Sequence, residues 1–231
     1  MLTLHHLSAG YGQSQVLQDV TLHIGPGEIV AVLGRNGSGR STLARAVMGL
    51  VAAQGRINWR GQDILGKKTF EIARLGLGYV PEHRDVFPSL TVTQNLLLGL
   101  KPRAKRGRWS IDDMFALFPQ LQARSGVRAG VLSGGEQQML ILCRALMGDP
   151  ALIIIDEPTE GLAPQLVGAV ASFLQTLKGQ GTAVLLIEQK LSMALAVADR
   201  CVVMGHGRIV FDGRPHDLHQ NSALRQEWLQ V

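Results

Sequence analysis

The stretch GRNGSGRST, residues 34–42, decides how the rest of this chain is interpreted. It matches the phosphate-binding pattern G-x-x-x-x-G-K-[ST] at every position except one, where Arg40 replaces the usual lysine. An apolar run, residues 28–33, precedes it and predicts a buried strand. Apolar residues with helical spacing follow it, at Leu43, Val47 and Leu50. A strand before the stretch and a helix after it are the context that a phosphate-binding loop requires.

Each residue type in this loop suits a phosphate ligand. Three glycines free the backbone to curl around phosphate oxygens, and the helix that follows adds positive potential. The Ser41 hydroxyl is placed to bind Mg²⁺, and Arg40 keeps the positive charge in a planar, bulkier form than lysine. A glycine-rich turn without a ligand is the alternative for the loop alone. We predict that the whole loop binds nucleotide phosphates, namely Gly34, Arg35, Asn36, Gly37, Ser38, Gly39, Arg40, Ser41 and Thr42.

A second candidate site follows another apolar run. Residues 152–157, LIIIDE, predict a buried strand that ends in two carboxylates. Downstream of a phosphate loop, Asp156 would hold Mg²⁺ directly or through water. Glu157 would polarise the attacking water as a general base. An acidic turn at a strand end is the alternative, and it is common where no phosphate loop is present.

The third motif is LSGGEQQ, residues 132–138. A serine hydroxyl and two glycine N–H groups at a helix N-terminus form an anion site. The motif resembles the signature stretch of the ATP-binding cassette (ABC) family. In that family the site closes over the γ-phosphate held by a partner chain, which implies this role for Ser133, Gly134, Gly135 and Glu136. A glycine-rich helix cap is the alternative.

With these motifs the chain resembles an ABC-transporter ATP-binding subunit over its whole length. VPE-x-R-x-VFP, SGGEQQML and DEPTEGLAP make it most similar to the second ATPase subunit of branched-chain amino acid importers and of urea and amide importers. The resemblance implies an α/β P-loop NTPase fold, with a mostly parallel sheet core, an antiparallel β portion and a helical insertion. It implies a single ABC ATPase domain over residues 1–231, with a core at about 1–80 and 150–231 and a helical subdomain at about 83–148.

The same resemblance assigns further site residues. Tyr11 would stack on adenine. Glu82 stands where most cassettes carry a glutamine that senses Mg²⁺ and the membrane subunit, and Gln189 stands where most carry a histidine. A glutamine can hydrogen-bond a γ-phosphate but cannot carry a proton as histidine can. The catalytic set is therefore Glu157 and Gln189, and the metal set is Ser41, Glu82 and Asp156.

The composition of the chain limits the kinds of partner and the cellular location that can be expected. The net charge is +5, and five basic residues crowd into 101–108. We interpret this stretch as a solvated loop, with a lipid-headgroup or protein contact second; nucleic acid is not expected, because no aromatic side chains interleave the charges for base stacking. Cys143 and Cys201 lie in apolar segments and predict buried free thiols. No apolar run is long enough for a membrane span, and no secretory signal is evident.

The expected cofactors are ATP and Mg²⁺. By resemblance the chain lies peripherally on the cytoplasmic face of the inner membrane. Its partners are a second ABC ATPase subunit in a heterodimer, two permease subunits and an extracytoplasmic solute-binding protein. Two alternatives stay open: a regulatory ATP-binding half with slow hydrolysis, favoured by Arg40 and Gln189, and a soluble ABC ATPase not tied to transport. LSGGEQQ excludes an unrelated P-loop kinase.

Overall fold

The structure is a computed structural model that describes residues 1–100 and 107–229. The strands are β1 (Leu2–Tyr11), β2 (Ser14–Ile24), β3 (Ile29–Gly34), β4 (Ala52–Trp59), β5 (Gln62–Asp63), β6 (Leu77–Val80), β7 (Leu152–Asp156), β8 (Ala183–Ile187), β9 (Arg200–Gly205) and β10 (Arg208–Gly213). The helices are α1 (Arg40–Val47), α2 (Thr69–Arg74), α3 (Val92–Leu97), α4 (Ile111–Leu117), α5 (Pro119–Gln122), α6 (Gly134–Leu146), α7 (Pro164–Gly179), α8 (Leu191–Val197), α9 (Pro215–Gln220) and α10 (Ser222–Trp228).

Two sheets carry the fold. The larger has the order β10-β9-β3-β8-β7-β6 and is parallel except for β10, which runs antiparallel to β9. The smaller, β2-β1-β4-β5, is antiparallel. This confirms the predicted α/β fold with an antiparallel portion. Because β3, β7 and β8 are parallel neighbours, their carboxyl ends meet at one edge of the sheet, and the candidate site lies there.

The larger sheet is covered on both faces, which is why its central strands are uninterrupted apolar runs. In β3, Ile29 and Leu33 belong to one core cluster, and Val30 and Val32 belong to the other. The first cluster includes α6 and α7, and the second includes α1 and the inner face of the antiparallel sheet. Because the strands are buried on both faces, their carboxyl ends are held in defined positions, and so are the residues that follow them.

The predicted helix after the loop is shorter than its apolar pattern suggested. α1 ends at Val47, and Gly49 has a φ of 67°, in the left-handed region that commonly ends a helix. Leu50 therefore lies beyond the helix and is half exposed, so it does not share a helical face with Leu43 and Val47, as its spacing had predicted.

Helices α3 to α6 lie between β6 and β7 in the sequence, where the helical insertion was predicted. The division into a core and a helical subdomain stays a prediction. Among the described residues, no helix has the length and apolar character needed to cross a bilayer. Cys143 and Cys201 are buried and free, as predicted, and burial raises the pKa of both thiols.

Most of the basic stretch, residues 101–106, lies outside the described residues. Arg108 is described: it lies in a loop and is exposed, as the interpretation of the stretch expects, but its side chain is also bound to neighbouring residues. Its Nε lies 2.7 Å from Asp149 Oδ1, and its Nη1 donates to the Gln180 carbonyl at 2.8 Å. Arg108 therefore ties the segment that precedes α4 to the residues that follow α6 and α7.

Candidate active site

The phosphate loop joins β3 to α1 at the carboxyl edge of the larger sheet. Gly34 has a φ of 155°, and a Cβ there would overlap the Met204 carbonyl oxygen and the Ser38 hydroxyl. Gly39 precedes the helix with a φ of 104°, a conformation that side chains with a Cβ rarely adopt. These two glycines allow the loop to fold back tightly over the start of α1.

The loop forms the floor of an open cleft of about 460 Å³. This volume lies within the usual range for a small-molecule site, about 300–1,000 Å³. Eight of the nine predicted loop residues line the cleft, all except Gly34, and so do Glu82, Glu157 and Gln189. The structure therefore brings together residues from the segments after β3, β6, β7 and β8 and from the start of α1.

An ion pair occupies the middle of the cleft. Arg40 Nη2 lies 2.6 Å from Glu157 Oε1, and the two side chains are only 5% and 11% exposed. The same nitrogen lies 3.4 Å from Asn36 Oδ1. Glu157 has a φ of 49°, a left-handed conformation that is uncommon for a residue with a side chain. This turn immediately after β7 helps place the carboxylate over the phosphate loop.

Asp156 is fully buried at the end of β7, and its Oδ1 accepts a hydrogen bond of 3.1 Å from Ser41 Oγ. Burial, together with the nearby carboxylates of Glu157 and Glu82, raises the pKa of Asp156 to about 6, although the Ser41 hydrogen bond acts to lower it. An ionised Asp156 is therefore costly unless a cation lies beside it.

Several buried polar atoms here have no hydrogen-bond partner among the described residues: Ser38 Oγ, Arg40 Nη1 and Asp156 Oδ2. Such atoms are uncommon in proteins and call for an explanation. A phosphate would satisfy the hydroxyl and the guanidinium, and a hard cation would satisfy the carboxylate oxygen. The residues present therefore fit both ATP and Mg²⁺.

Tyr11, predicted to stack on adenine, is not among the residues that line this cleft. It lies at the end of β1 and is 45% exposed. Its hydroxyl accepts a hydrogen bond of 3.1 Å from Arg45 Nη1 on α1, the helix that begins in the phosphate loop. The hydroxyl is thus anchored to α1, and the contact of the ring with a base stays a prediction.

The LSGGEQQ stretch begins α6 and does not line the cleft of its own chain. Ser133 is exposed and caps the helix: its Oγ accepts from Glu136 N at 3.2 Å, and Glu136 Oε2 accepts from Ser133 N at 2.8 Å. The serine hydroxyl keeps its own hydrogen to donate. Glu136 is engaged by the cap, which gives it a local structural contact in addition to its predicted role.

Two carboxylates near the site were missed by sequence reasoning. Glu160 lines the cleft, and Glu188 lies buried at the end of β8, where its Oε1 accepts from Thr159 Oγ1 at 2.6 Å. Burial raises the pKa of Glu188. The sequence could have indicated Glu188, because it directly follows an apolar strand, as Glu157 does on the neighbouring strand.

The C-terminal helix α10 braces the phosphate loop from outside. Arg35 Nη2 donates to the Gln226 carbonyl at 3.2 Å. The Trp228 ring packs so closely on Gly205 that a Cβ there would overlap it, and it meets the His206 ring edge-on at 5.5 Å. A small cavity separates this tryptophan from the loop. Sequence reasoning missed this contact, because nothing in the motif indicates it.

Comparison with known proteins supports this description. The profile of the ABC transporter family matches residues 17–160. The chain is 40% identical over 231 residues to the high-affinity branched-chain amino acid transport ATP-binding protein BraG of Pseudomonas aeruginosa, covering 99% of each chain. It is 34% identical to the probable branched-chain amino acid transport ATP-binding protein LivF of Archaeoglobus fulgidus, covering 98% of this chain and 97% of that one.

Solved structures show the same architecture. A nucleotide-free ATP-binding cassette from an ABC transporter matches with a TM-score of 0.82 and 29% identity, covering 96% of this chain and 94% of that chain. The ADP conformation of another ATP-binding cassette matches with a TM-score of 0.84 and 26% identity, covering 98% and 97%.

Proposed function

This chain belongs to the ABC transporter family, and we propose that it is the ATP-hydrolysing subunit of an importer for branched-chain amino acids or related amino acids, amides or urea. The cleft that carries this proposal combines unpartnered phosphate-binding atoms with a buried carboxylate and a candidate base. Two relatives that cover nearly the whole chain, at 40% and 34% identity, are named for branched-chain amino acid transport, which supports this class of solute.

Within this proposal the residues divide the work. The loop N–H groups, Ser38 and Arg40 hold the phosphates, and Glu157 accepts a proton from the attacking water. Ser41 and Asp156, with Glu82 nearby, would hold Mg²⁺, which supplies positive charge against the phosphate oxygens. Gln189 lines the same cleft and can donate a hydrogen bond to the γ-phosphate.

A second ATPase chain completes each site. Ser133 is exposed and does not line its own cleft, yet it has the hydroxyl and helix N-terminus of an anion site. Two cassettes arranged head to tail would place this serine on the γ-phosphate held by the other chain. We propose a heterodimer at the cytoplasmic face of the inner membrane, with two permease subunits and an extracytoplasmic solute-binding protein.

The surface that supports a permease contact is a groove of about 640 Å³ beside the residues that follow β6. Three of its apolar side chains are about half exposed: Phe87, Leu98 and Leu100. Arg144 shapes one wall, since its guanidinium lies 5.0 Å from the centre of the Phe87 ring. An apolar groove with a charged edge suits an amphipathic helix of a membrane subunit.

Leu98→Asp should prevent co-purification of this chain with its co-expressed permease subunits, because the charge would have to be buried in the apolar contact. The fold should tolerate the change, since Leu98 is 54% exposed. Val210→Asp on β10, where the valine is 36% exposed, is the matched control and should co-purify normally. Equal recovery of the permease with both variants would show that this groove is not the permease contact.

The function is tested by steady-state ATP turnover of the complex reconstituted in proteoliposomes with its binding protein and a branched-chain amino acid. We expect Mg²⁺-dependent turnover that the solute stimulates, and a rate within about threefold in Arg40→Lys, since both cations neutralise phosphate charge. A much faster Arg40→Lys would instead identify this chain as the slow, regulatory half. No turnover in either protein would contradict the assignment as an ATPase.

A further inference from the structure

We propose that Glu157 and the γ-phosphate of ATP compete for Arg40, so that the ion pair is a lock which ATP opens and ADP does not. While the pair is closed, the candidate base is held by the cation that should bind phosphate. When ATP takes the guanidinium, the base is released at the moment its substrate arrives. This inference rests on the proposed function and concerns the same cleft.

The first support is that the pair is closed and almost completely buried. The 2.6 Å contact between Arg40 Nη2 and Glu157 Oε1 is a short, charge-assisted hydrogen bond. With side chains 5% and 11% exposed, water cannot readily replace either partner. A buried pair is costly to break when one charge is left alone, so another anion must take the place of Glu157.

The second support is that only one of the two terminal nitrogens of the Arg40 guanidinium, Nη2, makes hydrogen bonds to described residues in the cleft. Arg40 Nη1 is buried and has no hydrogen-bond partner among the described residues. Ser38 Oγ, also buried, lacks one as well. A phosphate oxygen can therefore bind Nη1 first and then displace the carboxylate from Nη2. ADP has no phosphoryl group at the γ position, so it competes weakly.

The third support is that the Glu157 carboxylate can leave the Arg40 guanidinium by side-chain rotation alone. Its backbone is held at both ends, since its N–H donates to the Ile187 carbonyl at 2.9 Å and its carbonyl accepts from Glu160 N at 3.2 Å. Once Arg40 is occupied, the rotated carboxylate still points into the same cleft. Release therefore leaves the base in place to meet a water molecule.

The lock depends on arginine at this position. The planar fork lets one nitrogen contact both Glu157 and Asn36 while the other stays available. Lysine is one bond shorter, and its single, strongly hydrated ammonium group has no fork. The Arg40→Lys variant should therefore bind phosphate with a weaker competing carboxylate.

The test is binding of a non-hydrolysable ATP analogue with Mg²⁺, measured by titration calorimetry on dilute chain that light scattering shows to be monomeric. We expect Glu157→Gln to tighten binding about tenfold when Arg40 is present, and by less than about threefold in the Arg40→Lys background. For ADP, the same substitution should change affinity by less than about threefold in either background.

Glu160→Gln is the matched control, because it removes a carboxylate from the same cleft without contacting Arg40. It should change affinity for the analogue by less than about twofold. Equal tightening by Glu157→Gln and Glu160→Gln, or equal tightening in the arginine and lysine backgrounds, would overturn the lock. If wild type binds and Glu157→Gln binds no better, the lock alone is wrong; if no variant binds, the proposed function is wrong as well.

The coupling between Arg40 and Glu157 can also be measured without nucleotide, from the free energy of unfolding. Urea unfolding of wild type, both single variants and the double variant forms a double-mutant cycle. The double variant should be destabilised by clearly less than the sum of the singles, because each single change already weakens the pair. Additive effects would show that the two side chains are not coupled in solution and would overturn the inference.

Discussion

Replacing Glu157 with glutamine should lower ATP turnover of the assembled transporter by at least about a hundredfold. Glutamine has nearly the same shape, so the cleft should stay intact, but its amide cannot accept the proton of an attacking water. The left-handed backbone of Glu157 directs this side chain over the phosphate loop. Phosphate release by the reconstituted complex is the measurement.

The control for this prediction is Glu160→Gln, which should keep turnover within about threefold of wild type, because Glu160 lines the cleft without contacting Arg40. Nucleotide binding must be measured on the same preparations, so that a loss of rate is not a loss of substrate. If Glu157→Gln retained a tenth or more of the wild-type rate, another group would have to be the base.

Replacing Asp156 with asparagine should remove Mg²⁺-dependent turnover and, at the same time, stabilise the metal-free chain by on the order of 2 kcal/mol near pH 7.5. The folded-state pKa of Asp156 is raised to about 6, so at pH 7.5 the carboxylate is ionised in the folded protein at a cost in stability. Asparagine carries no charge and can still accept the hydrogen bond from Ser41.

The pH dependence gives the sign of this effect. A carboxyl whose folded pKa is raised destabilises the fold above that pKa, and the penalty fades as the pH falls towards its unfolded value. The stability gap between Asp156→Asn and wild type should therefore shrink by about half between pH 7.5 and pH 5. Urea unfolding of both proteins in the presence of EDTA, at each pH, measures this difference in the free energy of unfolding. An asparagine variant less stable than wild type at pH 7.5 would contradict the argument.

The central strands were predictable because both faces of the larger sheet are buried. The runs at β3 and β7 are apolar without interruption, and each was predicted to within about one residue at its ends. β1 was missed, because a bulge around His6, at a φ of 49°, breaks its alternation of buried and exposed residues. α10 was missed because it buries none of its residues completely.

The site was predictable as a set of positions but not as a set of contacts. The motifs placed Asp156 and Glu157 after a strand and Arg40 in the loop, and the parallel order brought these elements to one edge. The pairing of Arg40 with Glu157 joins residues 117 positions apart and depends on the backbone turn at Glu157. Side-chain geometry of this kind leaves no periodic signal in the sequence.

The packing of α10 against the phosphate loop also gives the molecule an optical property. Of its three tryptophans, Trp59 lies in β4 and Trp109 precedes α4, whereas Trp228 borders the small cavity beside the loop. Indole emission depends on the polarity and mobility of its surroundings, and here those surroundings include an imidazole ring 5.5 Å away. Trp228 is therefore an intrinsic fluorophore positioned to report the filling of the loop without any added dye.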